Sequence, residues 1–267
     1  MKIDLHCHSK YSKRATLWFM QKLGCPESFT EPMYIYQTAR KRGMSAVTIT
    51  DHNGIEGCLE IAHLPHTFIS CEYTTYFPED QCKIHVLAYD ITESQHRELQ
   101  EVRKNIFEFA HYLNANDIHH SCAHPLFWVN DKLTIEHIEQ LVLLFKNWEI
   151  NGSVHEKMNA ATLHLISGLT EKSIQQLAAK YNMVPYHAEC WCKNLTAGSD
   201  DHGGIHIANA YTQVLGASPL PEFWAGLEAG HSQVHYIPSK PHTFARTVYS
   251  IAYQFSHPNL GIDRHSY

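Results

Sequence analysis

The sequence predicts an α/β protein in which a parallel sheet closes into a barrel with helices outside. Two observations carry this expectation. Short β-branched or apolar runs alternate with helical stretches along the chain. Histidines and carboxylates recur where those runs finish, the end of a βα barrel at which chemistry sits.

The elements follow in order. The first strand carries Lys2-Ile3-Asp4-Leu5-His6-Cys7-His8-Ser9. A polar and aromatic loop from Lys10 to Phe29 comes next, and its Tyr11, Trp18 and Phe19 make it a candidate substrate lid. Thr30 is a fitting N-cap for a helix with Pro32 in its first turn, ending at Arg42 before Gly43. Ala46 to Thr50 is strand two, Ile55 to Ala62 a short helix, Thr67 to Cys71 strand three, and Ile84 to Tyr89 another strand. Thr92 caps one long amphipathic helix to about Leu113. A short strand at His119 to Ala123, a helix capped by Thr134 and the strand Trp148 to Asn151 follow. Helices near Glu156 to Ile166 and Thr170 to Tyr181 precede strands at Met183 to His187 and Leu195 to Asp200.

Composition narrows the function classes. A chain of 267 residues, 44% of them hydrophobic, buries a full core, and without a linker, repeat or low-complexity run it reads as a single domain over 1–267. The formal charge of −6 and the lack of a Lys/Arg cluster argue against a duplex nucleic-acid partner. No apolar run reaches the length of a membrane span and no charged leader opens the chain, so a soluble cytoplasmic protein is expected. The eight cysteines are scattered, and the one close pair, Cys190 and Cys192, reads as reduced thiols. The 22 histidines are the unusual count.

Their placement points to metal. Successive strand side chains face opposite ways, so His6 and His8 share a face and can grip one ion. Asp51-His52, Glu72, His85, Ala123-His124-Pro125 and Asp200-Asp201-His202 then each put a ligand type at or near a strand end. Histidine mixed with carboxylate suits first-row divalent ions, and one glutamate can bridge two of them. In the last motif the D-x-H spacing favours Asp200 over Asp201 as ligand, and Asp51 fits an orienting role. His155, His187 and His206 read as non-ligands.

The order H-x-H, T-D-H, glutamate, histidine, A-H-P and G-S-D-x-H resembles the polymerase and histidinol phosphatase (PHP) superfamily of metal-dependent phosphoesterases. The resemblance covers the whole chain. It implies a distorted (β/α)7 barrel holding two or three divalent ions, manganese, iron or zinc, that hydrolyses a small phosphate ester. By that resemblance His6, His8, Glu72 and Asp200 hold the first metal, and Glu72 bridges to a second held also by His85 and His124. His52 and His202 serve a third, and Glu72, His52 and His202 are the catalytic residues. Family members often carry a further aspartate or histidine just after the first strand, where this chain has Ser12-Lys13-Arg14. That departure makes Lys13 or Arg14 a candidate phosphate-binding cation standing in for a third ion. The alternatives are an amidohydrolase-type C–N hydrolase, which usually needs a carboxylated lysine or a lone catalytic aspartate, with no clear lysine standing at a strand end here, and a degenerate PHP scaffold.

Overall fold

The computed structural model describes residues 1–13 and 25–256. Trp18 and Phe19 of the expected lid lie outside the described residues. The chain forms a mixed α/β fold around one curled sheet. Its strands are β1 (Lys2–Ile3), β2 (Ser70–Tyr76), β3 (Lys83–Tyr89), β4 (His119–Cys122), β5 (Asn147–Asn151), β6 (Asn194–Gly198), β7 (Ala210–Val214) and β8 (Ser232–Tyr236). The spatial order is β1-β7-β6-β5-β4-β3-β2, with β8 on β7.

The expected all-parallel sheet is corrected. Only β4–β5 and β5–β6 are parallel; β2–β3, β3–β4, β6–β7, β1–β7 and β7–β8 are antiparallel. A short connection explains the first antiparallel pair. Residues 77–82 are too few for a crossover helix, so β2 and β3 form a hairpin, whereas helices fill the parallel crossovers. The first strand leaves its ladder after Ile3, and its continuation runs beside the end of β6, with Asp200 N donating to His6 O at 2.6 Å. The run 45–53 is not a regular strand, yet it donates to Lys2 O and Cys7 O on one side and to His66 O and Glu72 O on the other. It thereby links the two edges of the sheet.

The helices are α1 (Pro32–Lys41), α2 (Glu56–Ile61), α3 (Glu93–Val102), α4 (Ile106–Ala115), α5 (Ile135–Leu144), α6 (Glu156–Ser167), α7 (Glu171–Tyr181), α8 (Leu220–Glu228) and α9 (Pro241–Ser256). Thr92 and Thr134 cap α3 and α5 as expected, both in capping boxes. The long helix expected to Leu113 is two, because Asn105 turns its side chain onto Phe107 N and starts α4 afresh. Glu31, not Thr30, precedes α1. The strand expected at Met183 to His187 is irregular; Pro185 there has no amide to give a ladder.

Strand alternation sorts the core into two layers. On β3, Ile84, Val86 and Ala88 pack with Leu99, Phe109 and Leu141 of the covering helices. Leu87 and Tyr89 face the other way, into a cluster with Ile3, Leu5, Phe68 and the α8 residues Phe223, Trp224 and Leu227. His85 shares that inner face. The apolar cluster is therefore a dry floor beneath the side chains that carry the chemistry.

Candidate metal centre

The hairpin explains how Glu72 and His85 meet. Glu72 sits inside β2 and His85 near the start of β3, and in the antiparallel register Thr74 pairs with His85 and Glu72 with Leu87. The two side chains share one face, with Glu72 Oε1 2.9 Å from His85 Nδ1 and 3.2 Å from His124 Nε2. Glu72 Oε2 faces the other set, 3.4 Å from Nε2 of both His6 and His8 and 2.8 Å from His52 Nδ1. Asp200 Oδ1 completes that set at 3.4 Å from His6 Nε2 and 3.3 Å from His8 Nε2.

The surroundings fix which nitrogens carry protons. Glu149 Oε1 lies 2.8 Å from His6 Nδ1. His8 Nδ1 lies 3.0 Å from Ser12 Oγ, which itself donates to Asp51 Oδ1 at 2.8 Å. Both imidazoles therefore hold their Nδ1 protons outward and turn their Nε2 atoms toward each other, 3.0 Å apart. His202 Nδ1 likewise donates to Asp200 O at 3.1 Å. Buried His52 Nδ1, His85 Nδ1 and Glu72 Oε2 make no hydrogen bond despite these short approaches. Lone pairs converging at such distances, on angles unsuited to hydrogen bonding, fit divalent cations. His6-His8-Asp200, His8-His52-His202 and His52-Glu72-His85 each bring their ligand atoms together for one ion.

Backbone geometry helps place the ligands. His124 and Asp200 have φ of 26° and 49°, the left-handed region that is uncommon for side-chain-bearing residues. Asn151 Nδ2 donates to both Glu149 Oε2 and Asp200 Oδ2, and His124 N also donates to Glu149 Oε2. A Cβ on Gly198 would collide with the backbone and Cβ of His6, so only glycine lets the first strand come this close to β6. Buried Asp4 ties the same junction by accepting from Ser199 N, Ser199 Oγ and Ala208 N. Burial pushes its carboxyl up to about 6.

Charge balance in the cluster is strong. Burial opposes ionisation at every member. It is outweighed at Glu72, held well below the usual range by His85, His52 and His6, and at His6, raised well above it by Glu149, Asp200 and Glu72. His52 is raised in the same way, by Glu72 and Glu27, against its burial. Burial and the charge of His202 push His8 down to about 3.

The sequence reading missed three of these residues. Glu27 places Oε2 3.0 Å from His52 Nε2 and Oε1 3.6 Å from His202 Nε2. Although burial opposes its ionisation, those two histidines bring it down to about 2. It supplies an acidic group beside His52 and His202 that the Ser12-Lys13-Arg14 segment does not. Lys13 is exposed, and Arg14 lies outside the described residues. Glu149 and Asn151 are the other two; their alternation on β5 with buried Trp148 and Ile150 is the signal that was available. Asp201 is no ligand: it accepts the amides of Gly204, Ile205 and His206 and anchors that turn. All eight cysteines are free.

No protein-family model matches the sequence. A stretch of 68 residues is 46% identical to the uncharacterized protein MJ1587 of Methanocaldococcus jannaschii, covering 26% of this chain and 38% of that protein, so the match spans well under half of the relative's length. The structure of PsfC from Pseudomonas syringae superposes with a TM-score of 0.54 over 96% of this chain and 98% of PsfC, at 14% identity. The lesion-specific endonuclease PfuEndoQ from Pyrococcus furiosus does so with a TM-score of 0.51 over 87% of this chain and 57% of its own, at 16% identity. At such identities the likeness is one of fold. It nevertheless overturns the expectation of a small phosphorylated partner to the exclusion of duplex nucleic acid: an endonuclease carries this fold, and the net charge of a whole chain does not decide what one local site accepts. Among the described residues no helix is long and apolar enough to cross a membrane. The motif order from His6 to His202 is drawn into one cluster, on a fold shared with these proteins.

Proposed function

We propose that the chain is a metal-dependent phosphoesterase, a single domain built on a distorted (β/α)7 barrel. The observation that carries this is the split allegiance of Glu72, whose Oε2 faces His6, His8 and His52 while Oε1 faces His85 and His124. That is the disposition of a carboxylate shared by two cations. His6, His8, Glu72 and Asp200 would hold one ion, and His85 and His124 with Glu72 a second. His52, His202 and Glu27 would serve a third, the ions being manganese, iron or zinc. Bound there, such ions would acidify a water for attack on phosphorus and neutralise the phosphoryl oxygens.

The chain's own residues supply orientation. Glu149 and the Ser12–Asp51 pair keep His6 and His8 in the tautomer that leaves Nε2 free. His6 and His8 side chains are 0% exposed, whereas His52 and His202 are 14% and 16% exposed, so the latter two are the imidazoles a substrate reaches. As the bond from the water oxygen to phosphorus forms and the ester P–O bond breaks, the departing oxygen would take its proton from solvent, because both nitrogens of His52 and His202 are committed to their neighbours and the third ion.

The test is metal analysis together with hydrolysis of phosphomonoesters, phosphodiesters and an N-acyl amino acid by manganese-loaded protein. Chelator-sensitive phosphoester cleavage is expected. Loaded protein that cleaves only the C–N substrate, or nothing in the panel, would overturn the proposal.

A further inference from the structure

The turn that follows the ligand His124 carries two large aromatic side chains into solvent. Phe127 is 37% and Trp128 66% exposed, although both lie a few residues beyond a buried ligand. The Phe127 ring stands edge-on to the His124 imidazole, with centroids 5.3 Å apart. Phe127 therefore touches a residue of the cluster, and Trp128 follows it directly in the chain. Nor is the loop slack. Phe127 N donates to His124 O at 2.8 Å, closing a tight turn. On the far side Asn130 Nδ2 donates to Gln81 O and Asn130 Oδ1 accepts from Lys83 N, while Lys132 Nζ donates to Asp80 O. Both ends are clamped, so the two rings are presented by a fixed frame.

A fixed, exposed aromatic surface beside a phosphate-handling centre has a specific use. We infer that Phe127 and Trp128 form a stacking platform for a nucleobase of the substrate, with the phosphoester held at the cluster. The inference rests on the phosphoesterase reading and names its substrate class. Two physical points favour a base over another planar group. Both rings are solvent-exposed, which suits a partner whose polar edges stay hydrated; a hydrocarbon ring would gain more from an enclosed pocket. The Phe127 ring also stands one imidazole away from Glu72, so a base stacked on it would be joined to a phosphoester at the cluster through its sugar. A free nucleotide and an unpaired residue of a single strand present the same base for stacking.

The test uses manganese-loaded protein with two substrates that differ only in the base, adenosine 5′-monophosphate and ribose 5-phosphate. The expected kcat/KM ratio is about tenfold in favour of the nucleotide, carried mainly by KM, and it should collapse toward unity in Trp128→Ala and recover in Trp128→Tyr. Equilibrium binding provides a readout apart from turnover: a non-hydrolysable adenosine phosphonate should quench tryptophan emission, the corresponding ribose phosphonate should not, and Trp128→Ala should abolish the difference. Base-dependent quenching without hydrolysis of either ester would uphold the platform and sink the phosphoesterase reading. Hydrolysis of both at equal kcat/KM, with no base-dependent quenching, would do the reverse. Tighter binding of a 5′-phosphorylated single-stranded oligonucleotide than of the mononucleotide would identify the source as a polynucleotide, and the opposite order a free nucleotide. Circular dichroism and metal content matching wild type establish that Trp128→Ala is folded; if it is not, the kcat/KM ratio of Trp128→Tyr against Trp128→Leu decides, a ratio kept in the first and lost in the second upholding the platform and equal ratios overturning it.

Discussion

Glu149 Oε1 lies 2.8 Å from Nδ1 of His6, both side chains wholly buried, while its Oε2 accepts the backbone amide of His124. One carboxylate on β5 thus orients a ligand of the first strand and the turn that carries a ligand after β4. Replacing it by glutamine keeps the shape but removes the charge that favours the Nδ1-protonated tautomer. Glu149→Gln is expected to weaken metal affinity about ten- to a hundredfold, measured by competition with a chromogenic chelator. Wild-type affinity in that variant would remove the orienting role.

Glu72 differs from Glu149 in facing the proposed ions directly. Glu72→Gln should cost more than the roughly hundredfold upper range for an orienting partner, and elemental analysis should show fewer ions bound per chain, since both groups of ligands share this carboxylate. Full metal occupancy in Glu72→Gln would contradict the bridge.

Glu27 and Lys13 are close in sequence but differ in burial. Glu27→Ala should lower metal stoichiometry by about one ion, because it strips the carboxylate from His52 and His202. Lys13→Ala, a surface change, should stay within about twofold in kcat/KM, corresponding to about 0.5 kcal/mol. Kinetics and stoichiometry measured on the same preparations check both expectations, and a large Lys13 effect would restore a phosphate-binding role for that side chain.

The pH dependence of the metal-free protein has a definite sign. His6 and His52 have pKa values raised well above 6.5 by buried carboxylates, against the cost of their own burial. A base with a raised folded pKa contributes stability that is fully present below its unfolded value and is lost as pH rises through the folded value. The thermal midpoint of chelator-treated protein should therefore fall as pH is raised from about 6.5 into the alkaline range. Metal takes the place of those protons, so loaded protein should not show this fall, and metal uptake should release protons at neutral pH. Calorimetric titration in buffers of different ionisation enthalpy counts them. A chelated protein whose midpoint rises with pH would reject the charge balance described here.

Gly198→Ala tests the junction of the first strand with β6. The added methyl meets His6 backbone atoms that are pinned by the Asp200 amide and cannot swing aside. A destabilisation of about 1–3 kcal/mol is expected, together with weakened metal binding, read by denaturant unfolding and chelator competition. A neutral effect would show that the close approach is dispensable.

Much of this was determined by the sequence alone. His6 and His8 are two residues apart on an extended run, and strand periodicity by itself puts them on one face. The capped helices α3 and α5, the strands β3 and β5 and the candidate ligands at 52, 72, 85, 124, 200 and 202 were likewise legible, because each is written in local pattern. Tertiary structure decided the rest. Whether neighbouring strands run parallel or antiparallel depends on connection length and on which edges meet, and it is the antiparallel β2–β3 register that sets His85 beside Glu72. Glu27 reads as an ordinary loop carboxylate in the sequence; only the folded chain carries it to within 3.0 Å of His52. Glu149 and Asn151 were hidden for the opposite reason, lying inside a strand whose polar face becomes meaningful only when it points at ligands contributed by other strands. A local signal encodes what one segment can do, whereas the partners of a buried charge come from segments far apart in sequence, and only folding brings them together.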